Sequence, residues 1–373
     1  MRIAKRSTIA ATEAALTAAD AFDDVLVLPS NLQHTAGGAE AALVQAILTW
    51  VRHSGHTLRT WVETDEQAND FVRKLPGLVA ALCVRQIRGP KDLDITQRVT
   101  KEAIERLALL QGVNPRQAYR GPTVEVVCID HLGRGDPYLL YAPDARGGSR
   151  LRSRDNFRSL ANWLLGKVVV KPYSAYFDPD ADEAIGAMLY ELFKNTEEHA
   201  MYDSAGDLLA VSVRALSARH HAATPEIFSR IVGEFAPLQA YCETLEHPAD
   251  AAHAHLFELS VMDAGPGFAV SWTGRDLGSL TLDEEERAVR ECFGTGSVKG
   301  SDQFGQGLPH VLRMLQRQGG FLRLRTGRHS FFVDYSTRTS LDGEALQRHD
   351  PVAGRAWAAV AGSLITILIP MRR

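Results

Sequence analysis

Glu191-Leu192-Phe193-Lys194-Asn195-Thr196-Glu197-Glu198-His199 is the stretch on which the reading of this chain turns. It closes an amphipathic run that begins near Asp180. Ala184, Ile185, Met188, Leu189, Leu192 and Phe193 recur at helical spacing, which predicts a helix with one buried stripe. Glu191 and Asn195 stand four apart and therefore share a face. An acid and an amide so placed can hold a hydrated Mg²⁺ and polarise a water. A solvated helix face shows the same spacing, so the pair has to be read with what lies downstream.

Leu208–Arg214 reads as a strand, and residues 217–250 as a partly helical insertion. Leu256–Met262 reads as a second strand that runs into Asp263-Ala264-Gly265-Pro266-Gly267-Phe268. A carboxylate at a buried strand end, followed by glycines that let the backbone turn, suits recognition of a flat heterocycle through its amino group. In isolation the same pattern is a plain turn. Farther on come Phe293-Gly294-Thr295-Gly296-Ser297-Val298-Lys299-Gly300 and then Gly305-Gln306-Gly307-Leu308. A helix over 308–318 follows, with Pro309 in its first turn and Gly319-Gly320 as the stop. Glycines opening onto a helix N-terminus make an anion cradle, and Lys299 can add a point charge at a terminal phosphate. Gly362-Ser363-Leu364-Ile365-Thr366-Ile367-Leu368-Ile369-Pro370 is a closing strand.

Upstream, residues 1–21 read as a loosely docked helix or an arm. Val25–Leu28 and Thr57–Val62 read as strands, 39–52 as a helix, and 65–84 as a helix broken at Pro76-Gly77. That alternation predicts a small α/β unit with a parallel pair. Gly37-Gly38 follows a strand but lacks both phosphate-loop signatures, so it reads as a strand-to-helix turn. Residues 91–111 read as a helix, and 123–129 with 138–141 as a hairpin. Residues 155–165 read as a short helix and 167–171 as a strand. Ala145–Ser149 is the best linker by composition, which places a division near residue 150: 1–150 as an α/β sensor or partner-binding domain, 151–373 as the domain carrying the motifs.

The chain has 373 residues, enough for about two domains. A net charge of -4 argues against a global nucleic-acid footprint. No apolar run reaches the roughly 18 residues of a membrane span. The basic start lacks a signal-peptide core, so the expected compartment is the cytoplasm. Cys83, Cys128, Cys242 and Cys292 are dispersed, which suits reduced thiols better than disulfides or zinc. His220, His221, His247, His253 and His255 read as solvated surface or partner contact in preference to a metal site.

Taken in order, the motifs resemble the GHKL family of gyrase, Hsp90, histidine kinase and MutL ATPases, over residues from about 170 to 373. Glu191-x-x-x-Asn195 is similar to its N box, Asp263-x-Gly265-x-Gly267 to its G1 box, and Gly305-x-Gly307-Leu308 to its G2 box. Gly362-Ser363 is similar to its closing Gly-Thr, with Ser for Thr. The resemblance implies an α+β Bergerat sandwich, a mixed and mainly antiparallel sheet with helices on one face, binding ATP and Mg²⁺ under a lid at about 268–304. By that resemblance Asn195 coordinates Mg²⁺, Asp263 bonds the adenine amino group, and Ser363 steadies Asp263 and the adenine through a water. Gly265, Gly267, Gly305 and Gly307 give backbone access, with Gln306 and Leu308 beside them.

In ATPase branches the residue at Glu191 activates the attacking water. In kinase branches it assists phosphoryl transfer to a protein. His199 fits the N-x-x-x-H of kinase-type members, including anti-sigma kinases, or a histidine hydrogen-bonded near the pocket. The first 150 residues are loosely like the STAS domains on which such kinases act. No transducer segment is read after the closing strand. Lys299 is therefore the expected γ-phosphate contact within the chain, and a residue of a second protomer or partner is the other. No His lies in the setting of a sensor-kinase phosphoacceptor. The main expectation is a Mg²⁺-dependent ATPase whose nucleotide state controls association of domains, protomers or a protein partner. A kinase acting on a separate partner and a non-hydrolysing ATP-dependent scaffold are the rivals.

Overall fold

The computed structural model describes residues 1–373 except 19–20, 34–35, 54–55, 113–114, 116–117, 120, 146, 170–176, 178–179, 204–205, 247–251, 295–306, 337–345, 351–355 and 372–373. A helix, α1 (Ile9–Thr17), starts where the Thr8 hydroxyl accepts from Ala11 N. A parallel unit follows: β1 (Val25–Val27), α2 (Ala39–His53), β2 (Thr57–Arg59), α3 (Asp65–Val72), α4 (Leu75–Cys83) and β3 (Gln86–Arg88), with strand order β1-β2-β3. The expected parallel pair is present. The third strand, at three residues, is too short to show alternation in sequence. The helix break falls at Arg73-Lys74 instead of Pro76-Gly77, because Pro76 sits in the first turn of α4, where its missing N–H costs nothing.

α5 (Thr96–Gln111) leads to β4 (Thr123–Ile129). The hairpin expected for β4 does not form. β5 (Tyr141–Pro143) pairs with β6 (Ser149–Leu151) instead. α6 (Arg154–Val168) includes Lys167 and Val168, expected as strand, and α7 (Ala181–His199) follows. β7 (Val213–Ala223) begins later than expected and takes in residues assigned to the insertion. α8 (Pro225–Ile231) and α9 (Ala236–Glu243) lead to β8 (Ala254–Asp263). Then come α10 (Phe268–Thr273), α11 (Leu282–Phe293), α12 (Gly307–Arg317), β9 (Phe321–Gly327), β10 (His329–Asp334), β11 (Gln347–Arg348) and β12 (Val360–Met371). The large sheet runs β11-β10-β9-β12-β8-β7-β4, with every described neighbouring pair antiparallel. The α+β class read from the sequence is therefore present.

Two features depart from the expected layout. β4, from the first 150 residues, is the edge strand beside β7, and one apolar core runs from Met1 to Met371, so the packing does not divide at residue 150. Helices also cover both faces of the sheet. Val261, Asp263, Ser363 and Ile365 point toward α7, where they share a cavity with Leu192 and Asn195. The alternate residues point the other way, since successive strand side chains face opposite sides. There Thr366 meets Ser260, and a Cβ on Gly38 would lie 2.3 Å from the Thr366 hydroxyl. α2 fills that side, buried at Ala39 and at every position from Ala41 to Trp50. A helix without a solvent face belongs to the interior.

α1 is not a loose arm. Its Glu13, 5% exposed, pairs with Arg323 at 3.1 Å and with Arg325 at 2.9 Å. Of the histidines expected as solvated surface or partner contact, His253 is exposed, whereas His220, His221 and His255 are drawn into contacts within the chain. His220 Nε2 lies 3.0 Å from His255 Nδ1, and His221 pairs with the buried Glu258 at 2.9 Å. His34 and His247 lie outside the described residues. The four cysteines are free thiols. No described helix is long and apolar enough to cross a membrane.

Candidate functional site

The site is built on an irregularity in β12. Its register against β9 shifts between Val360 and Ser363, and Gly362 there takes φ +60°. Such a bulge leaves ladder groups unpaired. α2 takes them up: Thr49 Oγ1 accepts from Ala361 N at 2.9 Å, and Gln45 Nε2 donates to Ala361 O at 3.2 Å. Gly362 is needed as glycine, because a Cβ would stand 1.9 Å from Asp263 O. Its N–H donates to Gly265 O at 2.8 Å, and the turn after β8 is thereby tied to the bulge.

Asp263 ends β8, 9% exposed, with Oδ1 accepting from Gly265 N at 2.8 Å. Burial pushes its carboxyl up to about 6, against backbone N–H groups of Gly265 and Ser363 that favour the anion. The Ser363 hydroxyl meets Thr326 Oγ1 at 3.2 Å, and Thr326 Oγ1 also accepts from Phe268 N at 3.2 Å. Ser363 contributes its backbone N–H to Asp263 directly. Gly267, at φ +86°, leads into α10, and a Cβ on it would press Thr326 Oγ1 at 2.9 Å.

α7 forms the opposite wall, and its stripe Ala184, Ile185, Met188, Leu189, Leu192 and Phe193 is buried as the periodicity predicted. Its last turn meets the turn after β8, where a Cβ on Gly265 would stand 2.6 Å from Ala200 Cα. Asn195, His199, Asp263, Gly267, Phe268 and Ser363 line one cavity of about 40 Å³. That is the scale of a single water. Asn195 Nδ2 is buried and has no hydrogen-bond partner among the described residues. An unpartnered amide donor suits a hydrogen bond to an acceptor on a bound group, such as a phosphate oxygen, whereas a metal ion would have to be held by the side-chain oxygen Oδ1.

Glu191 is not on a solvated face. It is 5% exposed and paired with Arg154, the first residue of α6, whose guanidinium also lies 5.3 Å from the Tyr190 ring. A buried carboxylate requires such a partner. The other oxygen faces the start of α12, where a Cβ on Gly307 would stand 2.6 Å from Glu191 Oε2. Leu308 is buried in the first turn of that helix. Lys299, Gly305 and Gln306 lie outside the described residues, as does the end of the expected lid. The described part of that lid is α10 and α11, whose start carries a Thr281/Glu284 capping box.

Three residues at the site escaped the sequence reading. Arg154 and Thr326 come from segments without a motif. Arg52, on α2, donates from Nη1 to Gly265 O at 2.8 Å. Burial lowers the Arg52 pKa, and the Asp263 charge opposes that shift. A fourth residue, Arg214, anchors α7 to the sheet: it is 2% exposed and meets Asp130 at 2.7 Å and Glu197 at 2.7 Å.

Comparison of the chain with protein-family models, with curated proteins and with solved structures returned no match.

Proposed function

We propose that the chain binds a purine nucleoside triphosphate between α7 and the bulged β8–β12 pair and hydrolyses it, with Glu191 as the general base. The observation that carries the reading is Asp263. A carboxylate held at a strand end by two backbone N–H groups, facing a cavity shared with Asn195, is the arrangement that reads an exocyclic amino group. The ordered motifs resembling GHKL ATPases support the same reading.

Asp263 accepts from the base. The turns at Gly265 and Gly267 keep side chains out of its way. Mg²⁺ supplies neutralisation of phosphate charge, and Asn195 is the residue that would hold it. Glu191 takes the proton of the attacking water, and Arg154 beside it offers positive charge where phosphate charge develops. Lys299 is a second cation for the same task. Ligand pockets usually run to about 300 Å³ or more. At about 40 Å³ the cavity admits a base only after Phe268 and Ser271, on α10, withdraw from it. Binding is thereby coupled to movement of α10 and α11, a surface through which nucleotide state can reach a second protomer or protein partner in the cytoplasm.

Phosphotransfer to a separate protein is the second reading, favoured by His199 lining the same cavity four residues after Asn195. A nucleotide-binding scaffold without turnover is the third, favoured by the Arg154 contact that occupies Glu191. ATP labelled at the γ-position separates them. Hydrolysis predicts free phosphate that Glu191→Gln reduces by about 100-fold or more, with nucleotide affinity retained. Label on protein establishes the kinase. Binding with neither product establishes the scaffold. No binding of magnesium nucleotide by the wild-type chain ends all three.

A further inference from the structure

A second and larger cavity, of about 860 Å³, lies between the amino-terminal unit and the outer ends of β4 and β7. It shares no lining residue with the cavity at Asp263. Its volume falls in the range of small-molecule sites, about 300 to 1,000 Å³.

Its wall is cationic. Arg6 comes from the segment before α1, Arg73 and Lys74 from the α3–α4 junction, Arg106 from α5 and Arg219 from β7. Five positive side chains brought together from four parts of the chain repel one another unless something negative answers them. Two are answered: Arg219 by Glu40, and Arg73 by Asp70 at 3.4 Å. Arg6, Lys74 and Arg106 have no carboxylate at salt-bridge distance among the described residues. The remaining acid on the wall, Glu125, is pushed well above the usual carboxylate range by burial and by the neighbouring Glu40 charge, against the pull of Arg219 and Arg106.

The wall also holds donors without acceptors. Tyr119, 4% exposed, has its hydroxyl buried with no partner among the described residues, and the same holds for Arg106 Nε. Buried groups of this kind are rare in folded proteins and call for an explanation. Ser30, Asn31 and Gln33, in the loop after β1, add neutral polar groups. They stand at the carboxyl end of a parallel strand, the end from which α/β units present ligand-binding loops.

We infer that this cavity binds a phosphorylated small molecule carrying two or more negative charges. Arg106 provides a half-buried guanidinium with Nε unpartnered, Arg6 and Lys74 the flanking charge, and Tyr119 a hydroxyl donor to a phosphate oxygen. The inference does not depend on the nucleotide reading of the Asp263 cavity.

The test is calorimetric titration of the full chain with sodium pyrophosphate, without Mg²⁺ and at constant ionic strength. Saturable binding at one site per chain is expected. It should persist within about twofold in Asp263→Asn and weaken about tenfold or more in Arg106→Gln. Arg73→Gln and Lys74→Gln, at more exposed positions, should each weaken it several-fold, and they decide the matter if Arg106→Gln does not fold. Titration of Asp263→Asn with ADP identifies the source: tighter binding than pyrophosphate marks a nucleoside diphosphate, equal binding the phosphate group alone. Absence of saturable heat in the wild type overturns the inference. So does pyrophosphate binding that Asp263→Asn abolishes, or that the Arg106, Arg73 and Lys74 variants all leave unchanged.

Discussion

Arg52 Nη1, at the end of α2, lies 2.8 Å from the carbonyl oxygen of Gly265, in the turn that follows Asp263. The same oxygen accepts from Gly362 N. A helix of the amino-terminal segment thus fixes the turn on which the proposed base recognition depends. Arg52→Gln removes a charge-assisted bond worth about 1.5–3 kcal/mol. Affinity for magnesium nucleotide, measured by calorimetry, should fall about tenfold while the far-ultraviolet circular dichroism stays unchanged. Unaltered affinity would show that the turn holds its shape without Arg52.

If the proposed nucleotide site is correct, its affinity should depend on pH through Asp263. Its folded pKa of about 6 lies above the ordinary carboxyl value of 3.8. A donor from the base needs the anion, so affinity should drop as pH falls through 6. The sign for stability is opposite. The folded state binds this proton more tightly than the unfolded state, so the penalty is absent below 3.8, grows between 3.8 and 6, and is complete above 6. Asp263→Asn should therefore melt no lower than wild type at pH 7, lose binding of magnesium nucleotide at the Asp263 cavity and flatten the pH profile. A profile that stays steep in the variant would assign the titration elsewhere.

Arg154 and Glu191 should behave as a coupled pair. Arg154 is exposed, its side chain to 61%, so its loss alone is expected to cost about 1–2 kcal/mol, below the figure for a fully buried pair. Glu191→Gln in the same background should restore most of that loss, because the stranded charge is gone. Urea unfolding of the two single variants and the double variant gives the coupling energy. Additive effects would mean that the contact does not stabilise the protein.

Glu13 compensates two buried guanidinium groups, those of Arg323 and Arg325, each 1% exposed. Glu13→Gln leaves them without an anion and should cost about 3–5 kcal/mol. A melting temperature lowered by several degrees, with the melt still cooperative, is the expected result. A change below one degree would return residues 1–21 to the status of a dispensable arm.

The reading of single elements went far where one residue's neighbours in sequence are also its neighbours in space. The α7 stripe, the end of β8 at Asp263, the turn at Gly265 and Gly267, and the run from Gly362 to Pro370 all follow from local periodicity and backbone freedom. Errors gathered where pairing is remote. The 123–129 strand alternates as a hairpin strand would, yet its partner is β7, some 90 residues away. The histidines near 220 and 255 look like surface until two strands bring them together.

Periodicity and composition by themselves thus determined an α+β chain with one amphipathic helix bearing Glu191 and Asn195, and with glycine turns at the ends of two late strands. Tertiary structure alone decided what stands beside those residues: Arg52 on Gly265, Arg154 on Glu191, Thr326 on Ser363, and a cavity whose cationic side chains come from four separate parts of the chain. The reason is physical. A helix or a turn is specified by forces that act over a few residues, whereas the partner of a buried charge is chosen by whichever distant side chain the closed core delivers to it.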